Sequence, residues 1–255
     1  MPAMSKSLKL AVAAVLLVVL AGGAFALWFF KDDSPDEVDL GAAVESVEEN
    51  ADEGGDEGGG TDTTEAAGAG IEGTWTVDGN SGTFDFTDTA SGTFVGFRVN
   101  EELSAIGSST AVGRTPEVTG SIAIEGTELT AATFDANMTA ITTNESRRDD
   151  RVRSALATSQ FPTATFVLSE PVDLGAAVEN GGPVSVTAVG DLTIKGVTQT
   201  VSIPLEAQLT GDTVVVVGSM EITFADYGVE VPSAPVVLSA DDHGILEVQL
   251  LLNRG

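Results

Sequence analysis

The chain contains no cysteine in its 255 residues, which excludes a disulfide framework and thiolate chemistry. Histidine is almost as scarce. The single His243 sits in Asp241-Asp242-His243-Gly244, a polar turn before an apolar segment. One imidazole in such a turn is a poor ligand set for a metal. Serine and threonine are plentiful, yet no nucleophile elbow occurs. Asp226-Tyr227-Gly228 resembles an acid–phenol pair, but at a strand end it reads as a turn whose ring caps a fold. No catalytic residue, metal ligand or cofactor site is therefore assigned. Basic residues are few: 11 against 39 acidic, a formal net charge of −28. Such a surface repels nucleic-acid phosphates, and no nucleic-acid partner is expected. Without disulfides the fold must rest on a hydrophobic core, which a chain of this length can bury.

Hydrophobicity is concentrated at the amino end. Leu10 to Phe30 carries no charge, with Lys6 and Lys9 before it and Lys31, Asp32 and Asp33 after it. About 20 apolar residues at 1.5 Å each cross a hydrocarbon core of roughly 30 Å. The preceding lysines favour a cytoplasmic amino terminus, and Trp28, Phe29 and Phe30 suit an interfacial aromatic belt. Residues 1–9 then form a short cytoplasmic tail and 10–30 a single-pass signal anchor in the plasma membrane. The alternative is a cleaved signal peptide, because Ala24-Phe25-Ala26 is an acceptable cleavage site and would yield a secreted protein. Either way the folded part lies outside the cytoplasm, in a periplasmic or extracellular space.

Residues 31–70 read as an acidic, glycine-rich, disordered linker. Between 32 and 70 there are 14 Asp or Glu and no Lys or Arg, and glycine clusters break any periodicity. A flexible segment of this length spans roughly 35 Å between its ends. No repeat of 20–50 residues is present.

Beyond residue 70 the period becomes two. Val186, Ala188, Leu192 and Ile194 alternate with polar residues, as do Val201, Ile203, Leu205, Ala207 and Leu209 after Gly196. Gly211-Asp212 turns the chain into Val214, Val216, Gly218, Met220, Ile222 and Phe224. Val118 to Ile124, Ala132 to Ala140 and Ala164 to Leu168 behave alike, and Leu246, Val248, Leu250 and Leu252 end the series, with Glu247 and Gln249 directed to water. Alternation of this kind specifies long antiparallel strands with one dry face, and a meander of them closes into a barrel. Ser146 to Ala157 breaks the period and reads as a helix between strands, with Val152, Ala155 and Leu156 on one side.

The segment Gly190-Asp191-Leu192-Thr193-Ile194-Lys195-Gly196-Val197-Thr198 resembles the G-x-L-T-x-x-G-V-T stretch of the YceI-like family. Trp75-Thr76-Val77-Asp78, Arg148-Asp149, Phe161-Pro162-Thr163-Ala164-Thr165-Phe166 and Asp226-Tyr227-Gly228-Val229 follow in the family's order. The resemblance covers residues 71–255. Where many members carry a His-Ser pair after the first strand, this chain has Asn80-Ser81. The resemblance implies an all-β, up-and-down, lipocalin-like barrel of about eight strands around a cavity for isoprenoids or other long-chain lipids. A two-fold homodimer would suit the resemblance, and the sequence leaves the oligomeric state open.

An eight-stranded barrel either fills with side chains or holds one small ligand. Small inward residues (Gly120, Ala132, Ala136, Ala140, Ala164, Ala188, Gly190, Ala207, Gly218) favour a void. The competing reading has Phe84, Phe86, Phe94, Phe134 and Phe166 filling the middle. The expected lining comprises Ile122, Phe134 and Met138, then Phe166, Leu192, Ile203 and Leu205. Val216, Met220, Ile222, Phe224, Val248 and Leu250 complete it. Arg148 and Arg151 belong to the dense basic group 147–153 and are the candidates for a ligand head group, since paired guanidiniums suit a phosphate. The same arginines also fit a charged helix face neutralised by Asp149 and Asp150. The function expected is a membrane-tethered, non-enzymatic container for a long-chain amphiphile. The alternative is a non-catalytic structural or interaction module at the cell surface.

Overall fold

Alternating strands separated by glycine turns dictate an antiparallel sheet, and a computed structural model shows how it closes. The structure describes residues 34–53, 70–78, 82–104, 107–232 and 237–255. The expected membrane anchor, 10–30, and the Asn80-Ser81 pair lie outside the described residues. Among the described residues no helix is long and apolar enough to cross a membrane.

Eight strands form the closed ring. They are β1 (Gly73–Val77), β4 (Val118–Glu125), β5 (Glu128–Asn137), β7 (Thr163–Leu168), β9 (Val184–Ile194), β10 (Val197–Thr210), β11 (Thr213–Thr223) and β13 (His243–Arg254). Every pairing is antiparallel, and the ring shuts where β1 bonds both β4 and the end of β13, Trp75 standing opposite Ile122 and Arg254. At the other end of β13 the wall continues through β2 (Phe94–Leu103) and β3 (Gly107–Thr115). Short strands β6 (Thr142–Thr143), β8 (Val172–Asp173) and β12 (Val237–Ala240) attach to β3, β5 and β2. The fold is thus the all-β, eight-stranded closed barrel, with two short helices.

One end of the barrel is plugged. Trp75 donates its indole N–H to the Ile71 carbonyl at 2.8 Å, and a 3-10 turn (Ala176–Asn180) tucks Val178 beneath the same end. Over the opposite end lies the interstrand helix, observed at Ser146–Ala155.

The expectation of a disordered linker over 31–70 does not hold for its middle. Leu40–Glu53 is a helix, α1; the interstrand helix is α2. Asp39 caps α1, its Oδ1 accepting from the Ala42 N–H at 2.8 Å. Leu40, Ala43, Val44 and Val47 recur at helical spacing and pack on Val215, Val217 and Leu251 of the barrel's outer face. That contact explains the apolar run Val214–Val217, in which both faces of β11 are covered. The acidity of the segment masked four apolar residues, each in register with a dry stripe.

Glu247 and Gln249 were expected to face water; both are fully buried. They do point outward from the barrel, but the chain covers them. Residues 34–38 cross the outer wall as a strap, and the loop before β2 packs beside it. Arg114, fully buried, places its guanidinium 3.3 Å from Glu247, and Arg98 approaches the other carboxylate oxygen at 3.5 Å. Both arginines also donate to the strap: Arg98 to the Pro35 and Asp36 carbonyls at 2.8 and 3.1 Å, Arg114 to Asp36 at 3.0 Å. The Arg114 guanidinium lies 4.3 Å from the Phe94 ring centroid. Burial pushes the Glu247 carboxyl up and the Arg114 guanidinium down, each opposed by the other's charge.

Candidate functional site: an apolar cavity inside the barrel

The barrel interior is hollow. Its cavity measures about 860 Å³, near the upper end of the roughly 300–1,000 Å³ usual for small-molecule sites. Phe84, Phe86 and Phe94 do not fill it. They cluster outside the wall, Phe84 and Phe94 with ring centroids 5.8 Å apart, against Arg114. Phe134 and Phe166 do line the cavity, but they lie along the wall. A Cβ on Gly190 would stand 2.4 Å from the Phe166 ring, and one on Gly120 would stand 2.6 Å from that of Phe134. On β2 and β3, Phe97 covers Gly113 in the same way, at 2.4 Å. Inward glycines therefore serve as seats for aromatic rings. The rings pave the wall and leave the centre empty.

The lining follows the alternation read from the sequence. Ile122, Phe134, Met138, Phe166, Leu192, Ile203, Leu205, Val216, Ile222, Phe224, Val248 and Leu250 all border the cavity. Met220 does not. It shares the parity of Val216 and Ile222, but its cross-strand partner Leu246 occupies that stretch of wall. The sequence reading missed Val95, Phe97 and Val99 of β2, which also line the cavity. They alternate with Gly96, Arg98 and Asn100, so the signal was present; the charged residues beside them obscured it. Tyr227 ends a 3-10 turn (Phe224–Tyr227) closed by Gly228 in the left-handed region at φ +61°. Its ring is buried at the cavity edge among Leu192 and Ile194, and burial raises its hydroxyl pKa.

Polar groups meet the cavity at the α2 end, where Glu101, Asn144, Glu145, Arg147, Arg148 and Arg151 border it. The structure separates the two candidate head-group arginines. Arg148 is committed: it pairs with the buried Glu101 carboxylate and donates to Asn144 Oδ1 at 2.7 Å. Burial raises the Glu101 carboxyl, and the Arg148 charge opposes that rise. Arg151 donates to the Arg147 carbonyl at 3.4 Å and has no carboxylate partner among the described residues. Arg153 is bound to Asp150 at 2.8 Å, and Asp149 accepts from Thr143, anchoring the helix start. His243 opens β13, half-exposed beside Asp242. Among the described residues no three His, Cys, Asp or Glu side chains converge on a metal position.

The YceI-like domain family matches residues 71–250. The chain belongs to the YceI-like family. A polyisoprenoid-binding domain from Saccharophagus degradans, implicated in plant cell wall breakdown, superposes with a TM-score of 0.51 at 16% identity. The match covers 71% of this chain and 98% of that one. Burkholderia cenocepacia BcnA matches with a TM-score of 0.48 at 18% identity, over 62% of this chain and 95% of that one. The Campylobacter jejuni YCEI protein gives 0.45 at 16% identity, over 56% and 84%. No curated protein matches the chain. At 16% identity the likeness to the Saccharophagus degradans domain concerns the fold alone.

Proposed function

We propose that this YceI-like barrel sequesters an isoprenoid or other long-chain amphiphile, held outside the cytoplasm on the anchor expected at residues 10–30. The observation that carries the reading is the cavity of about 860 Å³ with a largely hydrocarbon wall and its charged residues gathered at one end. Water in such a space finds few partners, whereas each methylene moved into it gains roughly 0.8 kcal/mol. One five-carbon isoprene unit then contributes several kcal/mol before ordering costs. A polyisoprenoid-binding domain among the proteins of like fold supports this choice of ligand.

The polar end sets the ligand's direction: tail toward Trp75 and Val178, head toward α2. Arg151 is the residue that meets the head, because Arg148 is occupied by Glu101. Arg151→Ala weakens an amphiphile with an anionic head more than its alcohol analogue; equal losses contradict the assignment. No catalytic step is part of the reading. An interaction module, the other reading of the sequence, would present the outer wall, and the strap and α1 already cover part of it. Solvent extraction of the purified protein followed by mass spectrometry tests the proposal.

A further inference from the structure

The α2 end of the barrel carries apolar side chains that the cavity does not use. Leu238 is 67% exposed and Phe161 37%, two of the three large apolar side chains exposed among the described residues. Neither borders the cavity. Both stand at its rim. Leu238 lies on β12, which pairs with the end of β2 through Val237 and Leu103. Phe161 packs on the β9–β10 turn, where a Cβ on Gly196 would meet its ring at 2.5 Å. On the same rim the Arg147 side chain is 89% exposed, 3.4 Å from the exposed Glu145 carboxylate, and Arg151 has no carboxylate partner among the described residues. An apolar rim in water is unfavourable, and here it frames the opening of an apolar cavity.

We infer that this rim docks on a lipid bilayer, Leu238 and Phe161 entering the interfacial region while Arg147 and Arg151 meet lipid phosphates. The inference rests on the lipid-cargo reading and adds where the cargo is taken up. A long hydrocarbon chain crossing free water loses roughly 0.8 kcal/mol per methylene, so direct passage from bilayer to cavity avoids the largest barrier. Glu102, Glu145, Glu230, Asp241 and Asp242 are also at this end, so the contact is carried by apolar side chains rather than by net charge.

The course of the chain supplies a second, independent argument. The strap bonds Arg98 through Pro35 and Asp36, and Arg98 stands opposite Ile245, near the start of β13 and the α2 end. From there the chain runs to α1, over Val215 and Leu251 toward the plugged end. The described chain therefore starts at the rim end. The apolar run Leu10–Phe30 finishes five positions before Pro35, and five residues reach at most about 18 Å. A bilayer holding that run is within that reach of Pro35.

The absence of cysteine allows a clean test on the full chain in proteoliposomes of phosphatidylcholine and phosphatidylglycerol. Bimane is attached at Leu238→Cys or, at the opposite end, at Asp212→Cys in the β10–β11 turn, and quenched by nitroxide-labelled lipid. Several-fold stronger quenching at position 238 is expected. Equal quenching, or stronger quenching at 212, overturns the inference. In the double variant Leu238→Asp, Phe161→Asp, transfer of a fluorescent prenyl lipid from vesicles slows about tenfold, a loss of ~1.4 kcal/mol, while its equilibrium binding in detergent is unchanged. An unchanged transfer rate also overturns it. Cargo is counted separately in a solvent extract. Absence of any lipid there marks failure of the container reading, whereas equal quenching with cargo present marks failure of docking alone.

Discussion

Gly190 and Phe166 occupy one patch of barrel wall: a Cβ on the glycine would stand 2.4 Å from the aromatic ring. The relationship explains how a barrel of this size stays hollow while carrying aromatic residues on its inner face. Gly190→Val forces the Phe166 ring off the wall and into the lumen. Such overpacking costs typically about 1–3 kcal/mol. Thermal unfolding of the variant shows the loss, and lipid recovered per protein falls with it. Unchanged lipid content would mean that the ring is not what keeps the space open.

On the outer wall, Glu247 sits between two arginines with no access to water. Removing one partner of a buried ion pair costs roughly 3–5 kcal/mol, because the other charge is stranded. Arg114→Met is therefore strongly destabilising, and the double variant Arg114→Met, Glu247→Met recovers part of the loss. Urea unfolding of the two variants provides the check; additive losses would contradict the pairing.

Helix α1 packs on the outer wall through Leu40, Ala43, Val44 and Val47, and Asp39 caps its first turn. Asp39→Ala costs about 1 kcal/mol, as for other helix caps. Hydrogen exchange in residues 40–53 accelerates in this variant, while the barrel strands keep their protection. Acceleration throughout the barrel would show that α1 is part of the core.

Stability responds to pH in an unusual direction. Burial raises the carboxyls of Glu101 and Glu247 above their ordinary value of 4.5. A raised folded pKa means that the native state holds more protons than the unfolded chain in the window just above that value. Stability therefore falls as pH rises through this window and increases on mild acidification. Relief of self-repulsion at a net charge of −28 acts in the same sense. The melting temperature rises between about pH 7 and pH 5, and Glu101→Gln flattens the profile. A melting temperature that falls over that range refutes the sign.

The barrel was legible because the strands within Val186–Phe224 largely alternate, and a period of two leaves little choice of face. The lining residues of β5, β7, β9 and β10 followed from the same parity. What escaped was covering rather than alternation. Glu247 and Gln249 looked wet because a strand pattern cannot show that residues 34–38 will lie over them. Helix α1 was hidden by its own acidity, although Leu40, Ala43, Val44 and Val47 carry its spacing. Met220 had the right parity and still misses the cavity, because its cross-strand partner Leu246 takes that stretch of wall. Nor does sequence separate Arg148 from Arg151; only the position of Glu101 across the opening does so.

The central claim is that the cavity holds a long-chain amphiphile. The most direct measurement extracts the full-length protein, purified in detergent, with organic solvent and identifies the extract by mass spectrometry. A stoichiometric isoprenoid or other long-chain lipid, displaced in a variant with Ala188→Trp in the wall, is the predicted result. A lipid-free extract, followed by no uptake of polyprenyl probes, would contradict the account.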